Sequence, residues 1–225
     1  MDTGVIVLVV LVLTALVLWR QSRRQVAQTL AARARLLEPC LPLFEGTVVR
    51  PASLGYPRLS GRAMGRIWDV QVVPDGLGVR KLPALWLLVS VTEPMPVAGT
   101  LHLMLRPTGA EGFSNFRRLP DQGALPEGFP QDAGLRGEGV AGVSPALMLP
   151  VVAALGEARV KEVIISPKGL RVTLLLDEAE RGKYLILRQV DLGRAPVEPA
   201  LMRAALAALD DLAARLGAED VKGAA

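Results

Sequence analysis

The stretch PALWLLVSVT, residues 83–92, decides the fold because it is apolar on both sides of an extended chain. Alternate side chains of a strand point to opposite faces, so Leu85, Leu87 and Val89 share one face. Trp86 and Leu88 lie on the other face. A strand that is apolar on both faces is typical of the centre of a sheet and is covered on both sides.

Further strands are predicted on either side of this stretch. Residues 59–65 and 67–73 predict a hairpin, because apolar and polar residues alternate in the second run and Gly65 separates the two. Residues 100–106 predict the next strand, which carries the sole histidine, His102, opposite its leucines. With no second metal ligand or catalytic partner in the pattern, we expect a solvent-facing or hydrogen-bonded histidine.

Residues 107–143 predict a long irregular connection with one short strand near residues 132–136. Three phenylalanines lie in it: Phe113, Phe116 and Phe129. They form either a lid on the core or a contact surface for another molecule. Exposed aromatic side chains lower solubility, which favours the lid.

The pattern changes after this loop. Ser144 predicts the start of a helix that reaches Leu155, and Pro150 should kink the helix or delay its start. A long apolar stripe predicts a last helix over residues 196–216, ended by Gly217. Three runs between the helices predict antiparallel strands: residues 160–165, 169–176 and 184–190. This order predicts an α+β fold with a mainly antiparallel sheet and two helices.

The N-terminal residues 3–19 carry no charge and predict a transmembrane helix, a single span over about residues 4–20. An acidic residue precedes the span, arginines follow it, and no Ala-x-Ala site lies close behind, which favours a retained signal-anchor over a cleaved signal peptide. Because Lys and Arg beside a span stay in the cytoplasm, the N-terminus should be outside and the domain cytoplasmic. Four residues are expected at the membrane interface: Trp19, Arg20, Arg23 and Arg24.

The chain is therefore predicted to have four parts. Residues 1–20 form the anchor, and residues 21–45 form a basic juxtamembrane helix followed by a linker. That helix either lies on anionic headgroups or is a solvated stalk. Residues 46–217 form the cytoplasmic α+β domain, and residues 218–225 form a disordered tail.

Charge is concentrated at the N-terminus. Five arginines and one aspartate in the first 35 residues account for the whole formal net charge of +4, so the rest of the chain is neutral. A neutral domain argues against nucleic-acid binding. Positive side chains also cluster on the first hairpin and beside it: Arg58, Arg62, Arg66, Arg80 and Lys81. This cluster is either a solvated strand face or a surface that meets anionic lipid or an acidic partner.

No motif indicates a specific reaction. The sequence GEGVAG, residues 137–142, matches the G-x-G-x-x-G pattern of dinucleotide-binding loops. That loop needs a buried strand before it and a parallel βαβ unit, and the sequence predicts neither. A single His and a single Cys, Cys40, argue against a metal site built on these residues. We therefore expect no cofactor, no metal and no catalytic residue.

The Arg-flanked span, the stretch VKEVIISPKGLRV at residues 160–172 and the closing Ala/Leu-rich helix resemble those of uncharacterised, membrane-anchored bacterial proteins of unknown function. The resemblance implies a single-pass protein of the bacterial inner membrane and supplies no catalytic residue.

We accordingly predict a non-enzymatic anchored domain that binds a protein partner, as an accessory or assembly subunit of a membrane complex. One alternative is a lipid- or small-molecule-binding module with a pocket between the sheet and the helix at residues 196–216. Another is an enzyme with no recognisable motif.

Overall fold

The structure is a computed structural model. It describes residues 3–76, 82–108, 111–121, 125–139, 143–187, 190, 192–193 and 195–223. The chain begins with helix α1, Thr3–Ala34, which is long and apolar enough to cross a membrane, as a signal sequence also is. None of its most apolar stretch is buried.

Within the described residues, eight strands form one sheet in the order β1-β2-β3-β4-β8-β7-β5-β6, and every neighbouring pair is antiparallel. This confirms the predicted α+β class and antiparallel sheet. All eight residues of β4 are buried, as the opening stretch predicts. The strands are β1, Glu45–Pro51; β2, Pro57–Ala63; β3, Arg66–Asp75; β4, Ala84–Val91; β5, Thr100–Leu105; β6, Ala133–Glu138; β7, Val160–Ser166; and β8, Gly169–Glu178.

One face of the sheet, which we call the helix-covered face, packs against two helices. Helix α2, Leu149–Leu155, follows a 3₁₀ turn, because Pro150 fits only the first turn of an α-helix and so delays its start. Helix α4, Pro199–Gly223, lies against α2, β4 and β8. Its stripe of Met202, Leu209 and Leu216 is at most 3% exposed and joins the main hydrophobic core.

The segment predicted as a linker is part of this core. Leu36, Leu37 and Cys40 are buried, and residues 38–43 form a 3₁₀ helix against α4. The Cys40 thiol contacts the Val197 carbonyl oxygen at 3.4 Å. Burial raises the pKa of Cys40 to about 11, although the charge of Arg203 lowers it slightly, so Cys40 is an unreactive core residue.

Two predicted elements differ from the structure. Residues 181–187 form a helix, α3, where we predicted a strand over residues 184–190; residues 188 and 189 lie outside the described part of the chain. Because β8 is already paired with β4 and β7, a strand that follows it cannot pair with β8 as a hairpin. Within the described residues the domain therefore has three α-helices rather than two.

The C-terminal boundary also differs. Helix α4 continues through Gly217 to Gly223, where we predicted a stop and a disordered tail; residues 224 and 225 lie outside the described part. A single glycine costs a helix only about 1 kcal/mol, so Gly217 does not by itself end α4.

Candidate functional site

The second face of the sheet, which we call the loop-covered face, carries Trp86, Leu88 and Ser90 and lies opposite α4. Its side chains form cross-strand rows of mixed polarity. In one row the register places Ser90 beside Arg171, then Ile164, then His102. Residues 111–119 cover part of this face.

A cleft of about 680 Å³ opens on this face beside the loop. That volume lies within the range of small-molecule sites. Its polar lining includes Ser90, His102, Ser114, Glu138, Lys168 and Arg171, and Ile164 contributes an apolar patch. The cleft is thus built mainly on β4, β5, β7 and β8, which hold its side chains on a paired sheet.

A buried carboxylate anchors one side of the cleft. His102 Nδ1 lies 3.0 Å from Glu162 Oε1, and the two side chains are 8% and 0% exposed. Ser114 Oγ donates a short hydrogen bond to the same oxygen. Because a carboxylate accepts hydrogen bonds, Nδ1 is the donor. The other ring nitrogen, Nε2, makes no hydrogen bond within the described residues and is left for the cleft that His102 lines.

Arg171 stands on the other side of the same row. Its Nε donates to Ser90 Oγ at 3.0 Å, and the residue is half-buried. The terminal guanidinium nitrogens form no ion pair or hydrogen bond within the described part of the chain. By contrast, Arg58, Arg66 and Arg136 on neighbouring strands are bonded to carboxylates or backbone carbonyls.

The loop is fixed to the sheet by a buried ion pair. Glu111 Oε1 lies 3.3 Å from Lys161 Nζ, and both side chains are at most 5% exposed. Lys161 also donates to the Arg106 carbonyl oxygen at 2.5 Å. Burial alone raises the pKa of the Glu111 carboxyl, but hydrogen bonds from Thr108 and the charge of Lys161 outweigh it, and the pKa lies below its usual value.

The three predicted lid residues lie in three different places. Phe113 packs on Trp86, with ring centroids 5.3 Å apart, and lines the cleft. Phe116 is 5% exposed and lies under Arg136, while Phe129 packs on the main core. Core side chains pack beneath most of the helix at residues 196–216, where we predicted a pocket, and a smaller cleft of about 270 Å³ lies at the start of that helix, lined by residues that include Leu85 and Leu201. The cleft of about 680 Å³ is on the opposite face of the sheet.

The basic cluster predicted on the first hairpin is partly used inside the molecule. Arg58 pairs with Asp69 at 2.7 Å, and the hydrogen bond and charge of this carboxylate raise the pKa of Arg58. Arg66 contacts Asp210 at 2.6 Å and Glu93 at 3.5 Å, which ties β3 to α4. Arg62 is exposed, and Arg80 and Lys81 lie outside the described residues.

The residues predicted at the membrane interface lie on an exposed part of α1. The Arg23 guanidinium stacks over the Trp19 ring at 4.6 Å, and Arg20 and Arg24 are exposed on the same helix.

The glycine-rich segment that begins at Gly137 lies close to the chain at Gly99. A Cβ on Gly99 would lie 2.1 Å from the Glu138 carbonyl oxygen, so the two segments approach closely there. Gly137 belongs to β6, an antiparallel edge strand, and residues 140–142 lie outside the described part.

Comparison of the chain with protein-family models, with curated proteins and with solved structures found no match. The pairing of His102 with Glu162 was missed from the sequence because 60 residues separate the two. The available signal was the presence of charged residues within two largely apolar strands, among them Glu162 in β7 and Arg171 in β8.

Proposed function

We propose that the protein is a membrane-tethered domain that binds a small soluble molecule in the cleft on the loop-covered face. The observation that carries this proposal is the arrangement of Arg171 and His102. Each side chain is oriented by a buried or half-buried neighbour on the sheet, and each leaves nitrogen atoms unpaired within the described residues. Oriented polar groups around a cleft of this volume are typical of ligand sites.

The position of the anchor favours a soluble ligand over a lipid. Arg33 donates to the Leu54 carbonyl oxygen at 3.1 Å and stacks on the Tyr56 ring at 4.8 Å, so α1 meets the sheet where β2 and β4 begin. The cleft lies on the other face, where β4 ends and β8 begins. A ligand would therefore enter from the aqueous side.

We also propose the topology that the charges predict: a retained anchor, the N-terminus outside and the domain in the cytoplasm of a bacterial cell. Reporter fusions test this. A C-terminal alkaline phosphatase fusion should be inactive in cells, and the mature chain should retain residues 3–19. An active fusion, or a chain that starts after residue 20, would overturn the proposed topology.

Filling the cleft tests the binding proposal. Ile164→Trp should block it, whereas Gln71→Trp, on the same face but outside the cleft lining, is the matched control. Native mass spectrometry of the full chain in mild detergent, mixed with a metabolite library, should show small molecules bound to the wild type and Gln71→Trp only. Equal binding by Ile164→Trp would place the ligand elsewhere and refute the proposal.

A second candidate function is the predicted binding of a protein partner in the membrane. It is favoured by apolar side chains on the anchor-proximal end of the domain: Leu54, Leu185 and Ile186 are 66%, 58% and 81% exposed. Exposed apolar clusters mark protein contacts. A partner recovered with the wild type in mild detergent should be lost from the double variant Leu185→Ser, Ile186→Ser. Recovery of the wild type alone would count against this function.

A further inference from the structure

The geometry points to the chemical class of the ligand. We propose that the cleft binds a small organic acid, with its carboxylate or phosphate on Arg171 and a hydrogen-bond donor, a hydroxyl or ammonium group, at its far end on His102. This inference rests on the proposed function, since it concerns the same cleft.

Arg171 provides the oxyanion contact. A guanidinium presents its nitrogens as a planar fork that matches the oxygens of carboxylates and phosphates. Because Ser90 Oγ fixes Nε, the two terminal nitrogens are held in one orientation before any ligand arrives. Lys168 also lines the cleft and adds positive charge beside Arg171. No carboxylate within the described residues pairs with the Arg171 guanidinium.

The opposite side of the cleft accepts hydrogen bonds. The hydrogen bond to Glu162 Oε1 holds a proton on His102 Nδ1, so a ring that carries one proton presents the lone pair of Nε2 to the cleft. Glu138 lines the same side, because it pairs with Thr100 at the start of β5, and its carboxylate also accepts hydrogen bonds. The cleft is thus positive at the β8 end and accepting at the β5–β6 end, which fits a ligand with an anion and a donor at opposite ends.

The strand register sets the separation of these groups. Arg171 and His102 lie in one row with Ile164 between them, and neighbouring strands are about 4.8 Å apart. Their Cα atoms are therefore about 10 Å apart, and the two side chains stand on the same face of the sheet on either side of Ile164. A short aliphatic chain between the ligand's two polar groups then lies over the apolar Ile164 side chain. The rest of the cleft leaves space for a larger molecule that contains this fragment.

Fragment titrations test the assignment. Ligand-observed NMR on the full chain in detergent micelles compares butyrate, 4-hydroxybutyrate, 4-aminobutyrate, 3-hydroxypropyl phosphate and uncharged 1,4-butanediol at constant ionic strength. The fragments with both an anion and a donor should bind several-fold more tightly than butyrate, as one hydrogen bond contributes. Arg171→Gln should weaken all the anions about tenfold or more, whereas Arg62→Gln, an exposed arginine on the same face, should change none of them. The affinities of 3-hydroxypropyl phosphate and of the carboxylates then show which oxyanion the Arg171 guanidinium prefers.

A second variant tests the donor end. His102→Asn should abolish the advantage of 4-hydroxybutyrate over butyrate and leave butyrate binding unchanged. If that variant does not fold, Glu138→Gln replaces it and should lower the affinity for 4-aminobutyrate alone.

Equal anion binding by wild type and Arg171→Gln would overturn the oxyanion assignment. If 1,4-butanediol binds as tightly as the acids and Ile164→Trp abolishes its binding, the cleft is a ligand site but does not select organic acids. In that case the proposed function stands and this inference fails. If no fragment binds, this inference fails. The proposed function is then tested separately, by native mass spectrometry with the metabolite library and the Ile164→Trp variant.

Discussion

The two faces of the sheet are built on different physical chemistry. The helix-covered face is a continuous apolar core, in which side chains of α2 and α4 meet leucines and valines of the strands. Among the described residues, the loop-covered face holds a small apolar cluster around Trp86, beside buried charged residues such as Glu111, Lys161 and Glu162. Apolar packing is non-directional and stabilises, whereas a buried charge requires a specific partner. The first face therefore stabilises the fold, and the second is the face on which we propose that a ligand binds.

The largest effect should come from a cavity on the helix-covered face. Leu209 in α4 is fully buried, so Leu209→Ala should lower the free energy of unfolding by about 3 kcal/mol. Leu185→Ala in α3 is the control, because 58% of that residue is exposed, and it should cost less than about 1 kcal/mol. Urea denaturation of the full chain in detergent measures both. Equal effects would show that α4 does not cover the core.

A polar substitution tests the other face. Glu111→Gln removes the ion pair between Glu111 and the buried Lys161 and should cost about 2 to 3 kcal/mol at pH 7. The pKa of Glu111 is lowered by folding, so its stabilising effect is complete above the unfolded pKa, about 4.3, and is lost as the pH falls through the lower folded value. The stability difference between wild type and Glu111→Gln should therefore narrow below about pH 4.

The exposed pair of Glu180 and Lys183 provides the control for this experiment. Both side chains are about half exposed, so Glu180→Gln should change stability by less than about 0.5 kcal/mol at pH 7. A stability difference for Glu111→Gln that stays constant between pH 7 and pH 3 would mean that the carboxylate charge does not stabilise the loop.

Truncating the two loop phenylalanines sharpens the comparison further. Phe116→Ser removes a ring that is 5% exposed and should cost about 2 kcal/mol. Phe113→Ser removes a half-buried ring and should cost about 1 kcal/mol, while changing the fluorescence of Trp86 beneath it. Unchanged stability in both variants would mean that these rings form a contact surface rather than a cover on the sheet.

The same contrast explains how much could be predicted from the sequence. Apolar alternation located β2 to β5, β7 and β8, and helical periodicity located α4, because a buried face imposes a repeat on the chain. Strand β1 was missed because all seven of its residues are exposed and none is selected for burial. The apolar run in α3 was assigned to a strand because a short run carries no decisive period.

The candidate site was less predictable than the fold. Its row joins strands that are distant in the chain, and the order β4-β8-β7-β5 is a tertiary property. His102 was identified as a hydrogen-bonded or solvent-facing residue, but nothing local to it indicates Glu162 as its partner or Arg171 as its neighbour in the row. Pairing of polar groups across a sheet leaves no periodic trace in the sequence.

The smallest expected effect lies where the two faces are joined. Arg66 on β3 forms ion pairs with Asp210 on α4 and with Glu93, which follows β4. These three side chains are 26–32% exposed. Partly exposed ion pairs are screened by water and salt, so Arg66→Gln should cost about 0.5 to 1 kcal/mol, and less at 1 M NaCl. Denaturant titrations at two salt concentrations measure this, with Arg62→Gln as the control. A loss above about 2 kcal/mol would show instead that the hairpin depends on Arg66 for its attachment to α4, and that the helix-covered face is held by charge as well as by apolar packing.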